Sequence, residues 1–519
     1  MAAIITDQLR ILNAKNFVNS VRDSNNSYYS FIGLPNPFDY DSNWNVNPPA
    51  PKDNGDEEND YWDTIIAVKK IGNDDVRHVV RKIIWTRENV YDMYRNDISR
   101  NRISNSSSSS SIYASNFYVL NEDYRVYICL NNGTDPEHPN GRPSLDQPTF
   151  TDLEPKAAGL SGDGYIWKYL YTIKPSEIIK FDSTNYIPVP DNWDGNSNTA
   201  EVRSHAESSG QLKNILITDR GVGLGTANVI YTNVPIKGDG TGAEASIVIG
   251  NDSKIDRIVV TNGGSGYTYG IVDYISGGLP VNTLAPSFDV IIPPKGGHGA
   301  DIYNELGAFN VMIFSAIEND LENPDFILEN QISRVGIVQN PTVYNSTDIL
   351  TLDKASSISA IKLIGTGFNE VSFDEDSVIE QTVGTGQTAI GRVISYNKST
   401  GILKYWNDRY THGVGYGGTI SYYPQYGLDR YTFTNTPTGA GSINIRGNEG
   451  DIVLQIDTAF TGSTMPINNR TYNLGQNFVN GLANPEVQKY SGNIIYVDNR
   501  PPITRSQNQK ELIKVILQF

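Results

Sequence analysis

The chain has 519 residues, a formal net charge of -17 and a pI near 4.8. That length exceeds one ordinary core and predicts about three domains. The acidic balance carries no Lys/Arg cluster, which excludes the basic face that nucleic-acid binders present. Forty-seven glycines and 31 tyrosines against four methionines point to turns and strands and away from helical bundles. One cysteine, Cys129 in "YRVYICL", excludes an internal disulfide and a cysteine-based metal site, and reads as a buried thiol. With no signal-like N-terminus and no apolar run near 18 residues, the expectation is a soluble chain assembled in a reducing cytoplasm.

Residues 6–22 read as an amphipathic helix, with Thr6 as N-cap and Leu9, Leu12, Phe17 and Val21 on its apolar face. "YYSFIGLPNPFDYDSNWNVNPPAPKDNGDEEND" reads as an extended loop, with Asp56, Glu57 and Glu58 in a solvated acidic stretch. A helix or strand is expected at 63–72, and a half-buried strand holding a structural His78 at 76–85. "SNSSSSSS" (104–111) reads as a mobile loop tip. Strands are expected within 113–130. In "GDGYIWKYLYTI" (162–173), period two places Tyr165, Trp167, Tyr169 and Tyr171 on one face, which suits either core or a subunit interface.

Residues 210–300 hold a degenerate repeat. "ILITDRGVGLGTANVIY" (215–231) aligns with "IVVTNGGSGYTYGIVDY" (258–274) at an offset of 43, pairing Thr218 with Thr261, Gly221 with Gly264, Gly223 with Gly266 and Tyr231 with Tyr274. "GDGTGAEA" (238–245) and "KGGHGADI" (295–302) extend it. Two copies suggest a duplicated β-module, with the glycines as turn residues at positive φ. In 346–485, "ISAIKLIG", "TAIGRVISYN", "GILKYWND" and "DIVLQID" recur at roughly ten-residue spacing, as in a small barrel or sandwich. "LIKVILQF" closes the chain as a strand.

Catalytic and metal signatures are weak. "GTGQTA" (384–389) fits a loose dinucleotide pattern, but a strand follows where a helix is needed, so a hairpin turn is expected. "GDGTG" (238–242) and "FDEDS" (373–377) lack calcium-loop spacing. Asp374 and Asp376 form an acidic pair of the kind glycosidases use, in a chain with 58 acidic residues. His298 and His412 sit in Gly-rich loops and read as loop histidines.

Four blocks together resemble the baseplate wedge subunit family of T-even-like contractile-tailed phages. They are the N-terminal helix with "YYSFIGLPNPFDYDSNWNVNPPAP" and "YWDTIIAVKKI", then "GDGYIWKYLYTIKP" trailed by "NYIPVP", then "ENQISRVGIVQNP", and last "SGNIIYVDNRPPITRSQNQKELIKVILQF". The resemblance implies a non-enzymatic structural subunit of the virion tail, without cofactor or metal. It would be assembled in the host cytoplasm, form a homodimer and contact other wedge proteins, with no nucleic acid and no membrane insertion. The expected fold is mainly β with few short helices: a β-sandwich-like discontinuous core carrying inserted small β-modules. Its expected parts are 1–204 (start of the core), 205–302 (inserted Gly-rich module), 303–345 (core continuation), 346–485 (inserted barrel or sandwich) and 486–519 (strands completing the core). Tyr165, Trp167, Tyr169, Tyr171, Arg500, Pro501 and Pro502 are the candidate interface residues. The alternative is a receptor- or glycan-binding tail protein using the inserted modules, and a polysaccharide-cleaving enzyme is a third possibility.

Overall fold

The computed structural model describes residues 6–36, 43–104, 106–195, 199–206, 210–318, 331–406, 431–447, 451–504 and 510–519. It is mainly β, with short helices and several separate sheets, as the composition indicated. The chain divides into two compact units, Met1–Val18 with Val76–Met312 and Val515–Phe519, and Asn19–Asp75 with Ile313–Lys514.

The core of the first unit is built on a three-stranded antiparallel sheet, Tyr118–Leu120, Arg125–Asn132 and Tyr165–Thr172 in that order. Its strands bury Tyr118, Val119, Tyr127, Ile128, Trp167 and Leu170, so both faces are covered. The N-terminal helix, Asp7–Arg22, buries Ile11, Ala14, Val18 and Val21, while Leu9 and Leu12 are exposed. The buried set is thus rotated from the face expected on Leu9 and Leu12. Aromatic packing fixes the rotation, because the Phe17 ring lies 5.4 Å from Phe519 and the Arg10 guanidinium lies 3.9 Å above Phe309.

The Gly-rich module also lies in this unit. It comprises a four-stranded sheet in the order Ile255–Ser265, Thr241–Ile249, Ile230–Gly238, Gly270–Val272, and a pair, Ser287–Ile291 with Asn214–Asp219. The repeat is visible in its turns. Asp219 Oδ1 accepts from Gly221 N at 2.8 Å, and at the equivalent position Asn262 Oδ1 accepts from Gly264 N at 3.0 Å. Gly221 and Gly264 have φ of 67° and 59°, Gly223 and Gly266 of 71° and 79°. Leu224 and its counterpart Tyr267 are both buried. The second matched element does not recur in structure. "GDGTGAEA" turns a hairpin into Thr241–Ile249, whereas "KGGHGADI" leads into the helix Ile302–Leu306.

The second unit holds a five-stranded antiparallel sheet in the order Lys354–Ser356, Ile65–Lys70, Tyr28–Gly33, Gln331–Gln339, Asn493–Thr504. Strands from the first seventy residues and from the last thirty thus share one sheet, with Gln331–Gln339 between them. Gly336 lies under the Phe31 ring and beside the Tyr496 carbonyl, where a Cβ has no room. The acidic stretch expected as a loop is instead the helix Gly55–Thr64, started by the Asn54 side chain accepting from Glu57 N at 2.9 Å.

The same unit contains a closed barrel of six antiparallel strands. Ser359–Ile364 pairs with Ile402–Trp406, followed by Gln387–Asn397, Val378–Gly384, Asn444–Gly447 and Ile452–Ile456, which returns to Ser359–Ile364. Closure leaves no open edge among these strands. Ile361, Leu363, Ile379, Val393, Leu403, Tyr405, Ile445 and Leu454 belong to its apolar core. A separate hairpin, Gly462–Ile467 with Arg470–Phe478, follows it.

Candidate functional site

The residues weighed for chemistry do not converge. "GTGQTA" forms the turn between Val378–Gly384 and Gln387–Asn397, with Gly386 at φ 70°. "GDGTG" turns between Ile230–Gly238 and Thr241–Ile249, and the exposed Asp239 accepts from Thr268 N at 2.9 Å and from Thr268 Oγ1. Asp374 and Asp376 serve the "FDEDS" turn. Asp374 O accepts from Ser377 Oγ at 2.6 Å, and Asp376 lies 3.4 Å from Arg392. His78 is buried, 3.3 Å from Ala308 O, with its ring tilted against Tyr303 at 4.8 Å. His298 is buried against Glu305 at 2.6 Å, and the other Glu305 oxygen accepts from Gly299 N at 2.7 Å. This clamp fixes the link from the Gly-rich module into Ile302–Leu306. His412 lies outside the described residues. Among the described residues no group of three or more His, Cys, Asp or Glu side chains is placed to hold a metal. Cys129 is fully buried, and burial raises its thiol well above the usual range.

The serine-rich stretch expected to be mobile is folded around a buried carboxylate. Asp92 accepts from Ser104 Oγ, from Ser107 N at 3.2 Å and from Asn116 N at 2.9 Å.

Of the two settings left open for the aromatic run, Tyr165, Trp167 and Tyr171 occupy the core. Their exposures are 0, 0 and 3%, and Tyr169 is half-buried. The run does not act as one ladder. Tyr165 and Trp167 stack at 5.3 Å, Tyr169 packs on Tyr127 at 5.8 Å and Tyr171 on Trp193 at 6.4 Å. Burial raises the Tyr171 hydroxyl well above the usual phenol range, and it donates to Pro188 O at 3.2 Å.

In the second unit, a residue that the sequence reading did not single out gathers the distant blocks. Arg334 is 1% exposed. Its Nε donates to Asn499 Oδ1 at 2.8 Å, Nη2 to Asn36 Oδ1 at 3.0 Å, and Nη1 to Asp60 O at 3.3 Å and to Thr64 Oγ1. The guanidinium also lies 5.0 Å from the Trp44 ring and 4.7 Å from Tyr61. All four acceptors are neutral oxygens, so the buried charge is balanced by hydrogen bonds and aromatic faces. Burial lowers its pKa to about 10, with Tyr61, Asp60 and Glu57 opposing, and it stays protonated at neutral pH. Two further bonds continue the network, Asn499 Nδ2 to Pro49 O and Trp44 Nε1 to Arg500 O, both at 3.0 Å.

The Arg500–Pro501–Pro502 corner lies at the edge of this network. Arg500 and Pro501 are exposed, Pro502 is half-buried, and Arg500 Nε donates to Asp498 at 2.6 Å. The two prolines lack N–H donors and deny a template at that part of the sheet's edge strand. The signal for Arg334 was a lone cation in the apolar run "ISRVGIVQ", at a position that alternation turns inward.

The family described as Bacteriophage T4, Gp8 matches residues 3–158. The match takes in the first block and stops short of the other three. No curated protein matches the chain. The family match supports a structural protein of a T4-like phage baseplate, located in the virion tail.

Proposed function

We propose that the chain is a wedge subunit of a contractile-tail baseplate. In this reading it forms a homodimer, joins neighbouring wedge proteins, is assembled in the host cytoplasm and takes part in the rearrangement of the baseplate on contraction. Its role is mechanical and not catalytic. The observation that carries the reading is the match of residues 3–158 to a baseplate family, together with the way Arg334 ties part of that matched segment to the strand Asn493–Thr504. The blocks that resemble the wedge family lie far apart in sequence, and three of them meet at one buried side chain.

The same reading divides the chain into a core carrying two inserts, at 205–302 and 346–485. Support comes from the sheets, since the Gly-rich sheets lie within the first insert and the barrel within the second. Arg500, Pro501 and Pro502 supply an exposed corner for a neighbouring wedge protein. The test is co-expression with the other wedge proteins of the same phage, followed by sedimentation. A dimer that enters a wedge complex is expected. A chain that stays outside every such complex contradicts the proposal.

A further inference from the structure

In the first unit, nitrogen-bearing side chains of this acidic chain gather around one small pocket, where the link out of the Gly-rich module meets the core. Lys168, Lys213, His205, Gln211 and His298 line it, and among the described residues no acidic side chain forms part of its wall. Gly297 seats against the Ala206 carbonyl, where a Cβ has no room, and so closes one side. The enclosed part has room for one small group, and the remainder opens to solvent.

Two of these side chains are buried with hydrogen-bonding capacity to spare. Lys168 is 3% exposed, yet its amino group makes one hydrogen bond, to Leu153 O at 2.8 Å. An ammonium carries three donors, so two are left without an acceptor among the described residues. Burial lowers its pKa, with Glu305 and Glu154 opposing and Lys213 adding to the fall. Neither acid satisfies it. Both Glu305 oxygens are engaged, one by His298 Nδ1 and the other by Gly299 N. The Glu154 side chain is 70% exposed and lies 3.8 Å from Lys213. His298 is 6% exposed, and with Nδ1 donating to Glu305 its Nε2 has no partner among the described residues. Leaving a buried cation half satisfied is costly unless something else completes it.

We infer that this pocket binds one small oxyanion, a phosphate or a carboxylate. One oxygen enters the enclosed part and accepts from Lys168 and from a protonated His298 Nε2. Lys213 and Gln211, which are more exposed, hold the oxygens left toward solvent. Such charge-assisted bonds are short and strong. A water molecule could accept from Lys168 as well, but it brings no charge to offset a buried ammonium. The lysines exclude a cation. Lys168 stands on the core strand Tyr165–Thr172, Lys213 directly before the module strand Asn214–Asp219, and His298 in the link, so an occupied pocket ties the module to the core.

The test is calorimetric titration of the full chain with inorganic phosphate and, separately, with acetate, at fixed ionic strength. Binding at one site per chain is expected for at least one of them, and the tighter of the two identifies the anion. Lys168→Met should weaken that binding about tenfold or more, and Lys213→Gln about two- to fivefold. The control Lys237→Gln, at a side chain 68% exposed, paired with Asp273 and not part of the pocket wall, should leave it unchanged. If Lys168→Met does not fold, the double variant Gln211→Ala/Lys213→Gln decides in its place. Absence of binding by both anions overturns the inference, and so does binding that none of the pocket variants weakens.

Discussion

A guanidinium sealed among neutral oxygens is costly unless every donor finds a partner, and Arg334 spends its fork on Asn36, Asp60, Thr64 and Asn499. Arg334→Ala leaves those acceptors unpaired and opens a cavity between Trp44 and Tyr61. A loss of about 3 kcal/mol or more is expected, read from the urea midpoint of the full chain. Arg334→Lys keeps the charge but loses the planar fork, so it should also destabilise, by less than the alanine variant. Equal stability of Arg334→Ala and wild type would remove Arg334 from this role. Asp239 makes a pH-dependent prediction. Hydrogen bonds from the Thr268 side chain and backbone hold its carboxyl down at about 2. A depressed folded pKa means the contribution is present above the unfolded value, near 4, and fades as pH falls toward 2. The stability difference between wild type and Asp239→Asn should therefore shrink across that window. A constant difference from pH 5 to pH 2 would exclude the carboxylate as its source.

At the scale of elements, what the sequence showed depended on how local the signal was. The barrel strands at 359–364, 387–397, 402–406 and 452–456 were legible because each alternates between turn residues. The duplicated turns were legible because glycine is demanded twice at the same spacing. Alanine at Gly264 would meet Thr241 O and Ala243 N, whereas at Gly266 the nearest atom is 3.8 Å away. Gly264→Ala should therefore cost well above the roughly 1 kcal/mol expected of Gly266→Ala from its positive φ alone. Thermal unfolding of the two variants checks the order, and the reverse order would refute the geometry. Other features were hidden for physical reasons. The helix Gly55–Thr64 looked like an acidic loop because its cap, Asn54, sits in a run of loop-forming residues; Asn54→Ala should cost about 1 kcal/mol by the same urea measurement. The serine stretch looked mobile because its organiser, Asp92, lies 12 residues before Ser104. Arg334 left a signal of its own in the sequence, but its partners were hidden because Thr64 and Asn36 stand 270 and 298 residues away.

For the whole molecule, a chain of net charge -17 repels its own copies, so its assembly contacts must be local and neutral or must meet basic surfaces. The central claim is that the chain is a structural part of a baseplate wedge. A cryo-electron microscopy map of the intact particle tests it most directly. The account predicts two copies of the chain beside one another in every wedge of the tail baseplate. Density for this chain in the capsid or along the tail tube, with none in the baseplate, would contradict it.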